Sequence, residues 1–174
     1  MSTTKPTDSP TRQDIVLTRI IDAPVERVWE AWTDPEQVVR WWGPTGFTSP
    51  SSVIDLRDGG MYVFAMRAPD FQGGSTMYSG GVYTKVVPLE RLEFTQGLTD
   101  KDGNRIDPTT LGMPPDFPDA IRTVLTFERL GDATRLTATE YDWTVGPMLD
   151  MSEAGLSQSL DKLVALLSPD GGDA

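Results

Sequence analysis

This 174-residue chain contains neither histidine nor cysteine, which leaves a mechanism based on carboxylates as the one to consider. Their absence excludes Ser-His-Asp and Cys-His mechanisms and thiolate metal sites. A carboxylate can still act as a general acid or base if burial raises its pKa. Glu140 is the candidate, although a weak one, because it follows Ala138 by two positions and Leu136 by four in a strand-like run and so shares their inward direction.

The acidic and glycine-rich turns do not predict a metal or phosphate site. DKDGNRID, residues 100–107, resembles part of a calcium loop but lacks the terminal glutamate at the required spacing. The glycine pairs at 59–60, 73–74 and 80–81 are not followed by a helix with Lys-Ser or Lys-Thr, so they are better explained as strand turns and bulges. We therefore predict no metal and no cofactor.

The charge balance argues against polyanionic partners. With 15 basic and 26 acidic side chains, the net charge is −11, which opposes binding to nucleic acid or to an anionic membrane surface. The sequence has no apolar run long enough to span a bilayer. The N-terminal segment has no hydrophobic region, so we expect a cytoplasmic protein with disordered tails at 1–13 and 168–174.

The elements that would position these side chains follow from the hydrophobic period. A β-rich run at 14–22 predicts the first strand, and Val25, Val28, Trp29 and Trp32 then fall on one face of a helix. Pro35 predicts a second short helix, which Gly43-Pro44 ends. From residue 53 to about 142, alternating runs and turns predict six strands. The helix expected at 148–167 has an apolar stripe of Met148, Met151, Gly155, Leu156, Leu160, Leu163, Val164 and Leu167.

This order predicts a single α+β domain over residues 14–167. The six or seven strands form an antiparallel sheet that must bury one face, and only the last helix is long enough to cover it. A curved sheet wrapped around a straight helix leaves a gap between them, because the two shapes do not match.

Five segments also carry a resemblance to a known superfamily: IDAPVERVWEAWTDPEQVVRWWGP (21–44), DLRDGGMYVFAMRAPD (55–70), GGVYTKVVPLERLEFT (80–95), LTFERLGDATRLTATE (125–140) and SLDKLVALL (159–167). The chain resembles the helix-grip, START-like superfamily, also called SRPBCC, and within it the branch named after the activator of the Hsp90 ATPase. The likeness extends over roughly residues 14–167, and its motifs are specific to the fold rather than to a reaction.

The resemblance implies that one face of the sheet turns toward the C-terminal helix and encloses a cavity for a small, mostly apolar molecule. The residues that we predict to line it are Trp41, Tyr62, Phe64, Met66, Tyr83, Phe94, Phe127, Leu156 and Leu160. Ordinary core packing is the alternative for each of them. Leu156 stands where bacterial members commonly carry tryptophan, a change that enlarges or reshapes the space between helix and sheet.

Two further features bear on this cavity. The adjacent tryptophans of RWWGPTGF point about 100° apart on a helix, so one face cannot bury both. We expect one to pack between the short helices and the sheet, and the other to lie beside the cavity or the loop at 97–119. That loop is longer than an ordinary hairpin connection and is placed to cover the cavity mouth.

Three functional classes remain open. The leading one is binding of a small apolar ligand without a reaction. The second is a cyclase, dehydratase or hydrolase acting on an apolar ring compound, in which Glu140 or a tyrosine transfers a proton; an inward carboxylate facing a pocket would favour it. The third is a co-chaperone-like interaction module, although a chaperone is the least expected partner. A homodimer formed through exposed strand edges is a milder form of the third.

Overall fold

The computed structural model describes residues 11–169. The strands are β1 (Arg12–Ile21), β2 (Ser52–Ile54), β3 (Met61–Arg67), β4 (Thr76–Val87), β5 (Arg91–Thr99), β6 (Ile121–Leu130) and β7 (Ala133–Thr144). The helices are α1 (Val25–Thr33), α2 (Pro35–Val38) and α3 (Pro147–Leu167), with 3-10 turns at Asp70–Gln72 and Pro108–Leu111. The first strand begins at Arg12, two residues before the predicted boundary, and most of both predicted tails lies outside the described residues.

The strands form one seven-stranded sheet in the order β1-β7-β6-β5-β4-β3-β2. Every neighbouring pair is antiparallel. The predicted α+β helix-grip class, with a curved antiparallel sheet and a long C-terminal helix, is therefore confirmed. Strand β1 adds to the sheet beside β7, so the first and last strands form one edge region and β2 forms the other edge. None of the helices in residues 11–169 is both long and apolar enough to cross a bilayer.

Glycines allow the curvature of the sheet near its centre. A Cβ on Gly81 would overlap the carbonyl oxygen of Thr95 on β5, and one on Gly80 would overlap that of Tyr62 on β3. Gly80 also pairs directly with Gly97 across β4 and β5. Only glycine fits where backbones approach this closely, so these positions bring the three strands together.

The first helix matches its predicted stripe, with Val25, Val28, Trp29 and Trp32 all buried. It packs on β6, where the Trp29 ring lies edge-on to Phe127 at 5.2 Å. Helix α2 is shorter than expected, ending at Val38.

Helix α3 lies across the inner face of the sheet and contacts β1, β7 and α1. Leu160 and Leu163 are fully buried in the main core, as the apolar stripe predicts. The prediction is wrong at the N-terminal end of the stripe, because Met151 is 65% exposed and Leu149 is buried instead. The helix begins at Pro147, and this start directs Leu149 toward the sheet.

The segment predicted as one loop at 97–119 divides into parts. Its first three residues belong to β5, and the turn after them is organised by Asp100, whose carboxylate accepts from the backbone N–H groups of Asp102 and Asn104 at 2.9 Å each. Gly103 then lies against Met61 and Val63. Since Val63 alternates with the inward Tyr62, this turn covers the outer face of β3 rather than a cavity mouth.

Candidate functional site

A row of buried side chains crosses the inner face of the sheet at the level of Glu140. The register pairs Glu140 with Ile15 on β1 and with Thr123 on β6. Thr123 in turn pairs with Phe94 on β5, and Phe94 with Tyr83 on β4. All five are buried. The row therefore combines one carboxyl and two hydroxyls with apolar neighbours under α3.

Glu140 is an acid in an apolar environment. Its side chain is 4% exposed, and its Oε1 accepts a hydrogen bond from Trp143 Nε1 at 3.0 Å. Burial raises the pKa of Glu140 to about 7, and the Trp143 hydrogen bond opposes that rise only in part. The carboxyl can thus hold or release a proton near neutral pH, as the prediction of an inward Glu140 requires.

A bulge brings Trp143 beside Glu140. Inward residues on β7 are even-numbered up to Glu140, so simple alternation would turn Trp143 outward. At Asp142 the backbone enters the left-handed region, with φ of 59°, and the pairing with β1 shifts register. The Asp14 carboxylate holds this conformation by accepting from Asp142 N at 3.0 Å. The bulge reverses the alternation, and the indole faces inward.

Thr123 is the second polar group of the site. It is 3% exposed, and its Oγ1 has no hydrogen-bond partner among the residues that the structure describes. A buried hydroxyl without a partner is costly, by about 1–3 kcal/mol. Glu140 and Thr123 are direct cross-strand neighbours on the inner face, which places an unsatisfied hydroxyl beside a buried carboxyl.

Beyond Phe94, aromatic rings continue the inner face of the sheet on β4 and β3. The Tyr62 ring lies 5.2 Å from those of both Tyr83 and Phe94, and its hydroxyl donates to the Thr95 carbonyl oxygen at 2.9 Å. Burial raises the pKa of Tyr62 and Tyr83 above the usual value for tyrosine. Both phenols therefore stay protonated near neutral pH, so neither is suited to act as a base.

Most of the predicted lining residues belong to one buried cluster: Trp41, Tyr62, Phe64, Tyr83, Phe94, Phe127 and Leu160. Leu156 is half-buried and packs against both this cluster and the smaller one formed by Ile15, Ile121, Trp143 and Leu149. Met66 is half-buried near the end of β3, where it pairs with Met77.

Two of these residues lie away from Glu140. Phe127 follows Thr123 by four positions on β6, a distance of about 13 Å along a strand, and lines a separate depression of about 510 Å³ with Val25 and Leu89. Trp41 packs among the helices, where its Nε1 donates to the Ala31 carbonyl oxygen at 2.9 Å. The geometry groups neither with the candidate site.

The two tryptophans of RWWGPTGF have different environments, as the sequence analysis expected. Trp41 is fully buried, whereas Trp42 is half-buried with its ring 5.1 Å from Phe64. The Gly-Pro segment after them is fixed to α3, because Lys162 Nζ donates to the carbonyl oxygens of Gly43 and Phe47 at 3.1 Å each. The lysine thus satisfies carbonyl groups of the loop that follows α2, which ends at Val38.

Replacing Lys162 with methionine is expected to lower the free energy of unfolding by about 1–3 kcal/mol, since it leaves two partly buried carbonyl groups without their donor. Urea unfolding followed by tryptophan fluorescence measures the change. Lys101→Met is the control, because Lys101 is exposed in the Asp100 turn. Equal stability of the two variants would contradict this role for Lys162.

A cleft opens beside Trp143, where β7 passes into α3. Its volume is about 240 Å³. The residues around it are Pro114, Asp116, Phe117, Pro118, Trp143, Thr144, Val145, Gly146, Pro147 and Met148. The ring of Phe117 lies edge-on to Trp143 at 5.8 Å. The second half of the long loop therefore does reach the end of the space between sheet and helix, and Trp143 stands between that cleft and Glu140.

Sequence reasoning named Glu140 as an inward-facing candidate, and the structure buries it. It did not name Trp143, Thr123 or Phe117. The clue to Trp143 was the Tyr-Asp-Trp step after Glu140, because an aspartate tolerates the left-handed conformation that a bulge needs. No comparable signal marks Thr123, whose environment depends on the register of β6 against β7. In residues 11–169, no three acidic side chains come close enough together to hold a metal ion.

Comparison with solved structures shows many similar folds. Protein CV1439 from Chromobacterium violaceum is 29% identical, with 90% of this chain and 98% of that one covered and a TM-score of 0.70. The AHSA1 protein from Silicibacter pomeroyi is 25% identical over 89% and 97%, with a TM-score of 0.68. CalU16 from Micromonospora echinospora is 25% identical over 91% and 78%, with a TM-score of 0.61.

No functionally curated protein matches the sequence significantly. The sequence pattern of one family, described as activator of Hsp90 ATPase homolog 1-like protein, matches residues 22–168. That match includes both short helices, the six strands from β2 to β7 and all of α3. The chain therefore belongs to the family of activator of Hsp90 ATPase homolog 1-like proteins, within the START-like superfamily that its segments resemble.

Proposed function

We propose that the domain binds a small, mostly apolar molecule between the inner face of the sheet and α3, with entry through the cleft beside Trp143. Family membership supports a ligand-binding domain. The proposal adds the location and the kind of ligand. Burial of the ligand's apolar surface would drive binding, and a few polar groups would orient it.

The observation that carries this proposal is the adjacent pair of buried polar groups, Glu140 and Thr123, on the inner face of the sheet. A core that serves only stability gains nothing from a buried carboxyl with a raised pKa beside a hydroxyl without a partner. A ligand with a polar end would satisfy both. Tyr62 and Phe94 then contact its apolar body from the sheet, and Leu156 does so from α3.

Proton transfer by Glu140 is the second candidate function. A carboxyl with a pKa of about 7 can act as general acid or base near neutral pH. A cyclase, dehydratase or hydrolase acting on an apolar ring compound would use the same space. In that case Glu140→Gln would retain ligand binding but lose turnover, whereas a binding protein releases its ligand unchanged.

Native mass spectrometry of the gently purified protein, followed by small-molecule analysis after denaturation, tests the binding proposal. We expect a stoichiometric apolar adduct that Leu156→Trp excludes, because the indole fills the space between helix and sheet. Met151→Trp is the matched control, since Met151 lies on the same helix but is exposed. An adduct that survives Leu156→Trp would contradict the location.

A protein purified without adduct is tested with uncharged N-phenylnaphthylamine, whose fluorescence rises in apolar surroundings. Saturable one-to-one binding by the wild type and Met151→Trp is expected, with at least about tenfold weaker binding by Leu156→Trp. The absence of binding to the wild type would oppose the proposal. The native spectra also give the oligomeric state and so test whether the exposed strand edges form a homodimer. A pulldown that recovers no chaperone would argue against a co-chaperone role.

A further inference from the structure

We propose that the ligand of this site carries a primary amine, whose ammonium group binds between Glu140 and Thr123. The inference rests on the proposed function, because it names the polar end of the molecule that we propose to bind between the sheet and α3. It begins from the absence of any cationic partner for Glu140. Within residues 11–169, the only hydrogen bond to its carboxyl comes from the Trp143 indole, and none of the ion pairs includes it.

Within residues 11–169, burial and the Trp143 hydrogen bond are the causes that shift the pKa of Glu140, and no basic side chain is among them. From β3 comes the phenol of Tyr62, which interacts electrostatically with Glu140. From β1 comes Asp14, which is exposed and accepts from Asp142 N. Arg105 interacts electrostatically with Tyr62, but its guanidinium donates to the Asp119 carbonyl oxygen. A cationic ligand would provide the missing countercharge, whereas an anionic one would be repelled.

The stereochemistry fits an ammonium group better than a hydroxyl. An ammonium has three donors. Glu140 and Thr123 offer a carboxylate and a hydroxyl oxygen from directly opposed positions on β7 and β6, where Cβ atoms lie about 5 Å apart. One ammonium can therefore donate to both, and Thr123 Oγ1, which otherwise lacks a partner, gains one.

The surroundings favour the same charge. Phe94 lies directly beside Thr123 on β5, and the face of an aromatic ring attracts cations. The chain as a whole carries a net charge of −11, which raises the local concentration of cations and repels anions. Amines with an apolar body are thus favoured on approach and in the site.

Three probes that share one apolar body test the inference: naphthylmethylamine, naphthylmethanol and naphthoic acid, titrated by calorimetry at about pH 8, where Glu140 is ionised. We expect the wild type to bind the amine at least about tenfold more tightly than the alcohol, the scale of one charge-assisted hydrogen bond. The acid should bind more weakly than either. Thr123→Val should weaken binding of the amine several-fold and leave the affinity for the alcohol nearly unchanged.

Glu140→Gln should remove the preference for the amine while keeping the affinity for the alcohol. Glu128→Gln is the control for net charge, because Glu128 is exposed and pairs with Arg135 at 2.7 Å; it should keep the preference. Equal binding of amine and alcohol by the wild type would overturn the inference, and so would a preference that persists in Glu140→Gln. Either result would leave the proposed function standing. If none of the three probes binds, the proposed function fails together with it.

Proton release on amine binding tests the inference with the wild-type protein alone, so the test does not depend on whether a variant folds. Near pH 7, ammonium binding should ionise the protonated fraction of Glu140 and release a proton into the buffer. Calorimetry of naphthylmethylamine binding in buffers of different ionisation enthalpy detects that release. The alcohol should release none. Amine binding without proton release would place the ammonium away from Glu140 and overturn the inference.

Discussion

As pH rises from 4.5 to about 7, the free energy of unfolding of the wild type is expected to fall by about 3 kcal/mol relative to that of Glu140→Gln. In this window the folded state holds a proton on Glu140 that the unfolded chain has released. The folded state therefore binds more protons, and stability declines as pH rises until Glu140 ionises in both states. A glutamine side chain does not ionise in this range, and its oxygen can still accept the hydrogen bond from Trp143 Nε1.

Urea unfolding at intervals across and above this window measures the difference between the two proteins. The other carboxylates contribute equally to both, and those with a lowered pKa, such as Glu93 beside Arg91, lose their stabilisation as pH falls through their own lower range. Glu128→Gln should follow the wild-type curve, because its carboxyl is exposed. Parallel curves for the wild type and Glu140→Gln would show that Glu140 is not buried as the structure places it.

The fold was largely predictable because it depends on periodic patterns. The stripe of α1 and the alternation of the strands each mark which side is buried, and the order of elements then leaves few ways to cover the sheet. The inward direction of Glu140 followed from the same two-residue alternation with Leu136 and Ala138. Alternation gives the face of a sheet directly, and this is why the acid was found.

The composition of the site was less predictable, because alternation gives no distance along a strand. Phe127 shares the inner face with Thr123, yet it lies four positions farther along β6, beside α1. Trp143 was missed because a bulge at Asp142 reverses the alternation. The Asp100 turn was expected over the cavity mouth but packs on the outer face through Gly103. Each case depends on tertiary contacts that a single strand does not encode.

Gly81→Ala is expected to destabilise the domain by more than about 3 kcal/mol. A Cβ at this position overlaps the Thr95 carbonyl oxygen, which belongs to the backbone of β5 and cannot rotate away. Strand β4 would have to separate from β5, where Val82 N donates to Thr95 Oγ1. The movement would also disturb the hydrogen bond from the Tyr62 hydroxyl to Thr95, so the ring that borders the candidate site should lose its fixed position.

Gly155→Ala is the matched control, because the same methyl group enters an open position. The nearest side-chain atom to a Cβ on Gly155 is Pro44 Cγ at 3.5 Å, an ordinary contact. Since alanine is the better helix former, this variant should gain up to about 1 kcal/mol. Urea unfolding of both variants measures the contrast, and near-ultraviolet circular dichroism reports the aromatic packing. If Gly81→Ala were as stable as Gly155→Ala, the close approach of β4 to β5 would not be a requirement of the fold, and the curvature that opens the sheet toward α3 would need another cause.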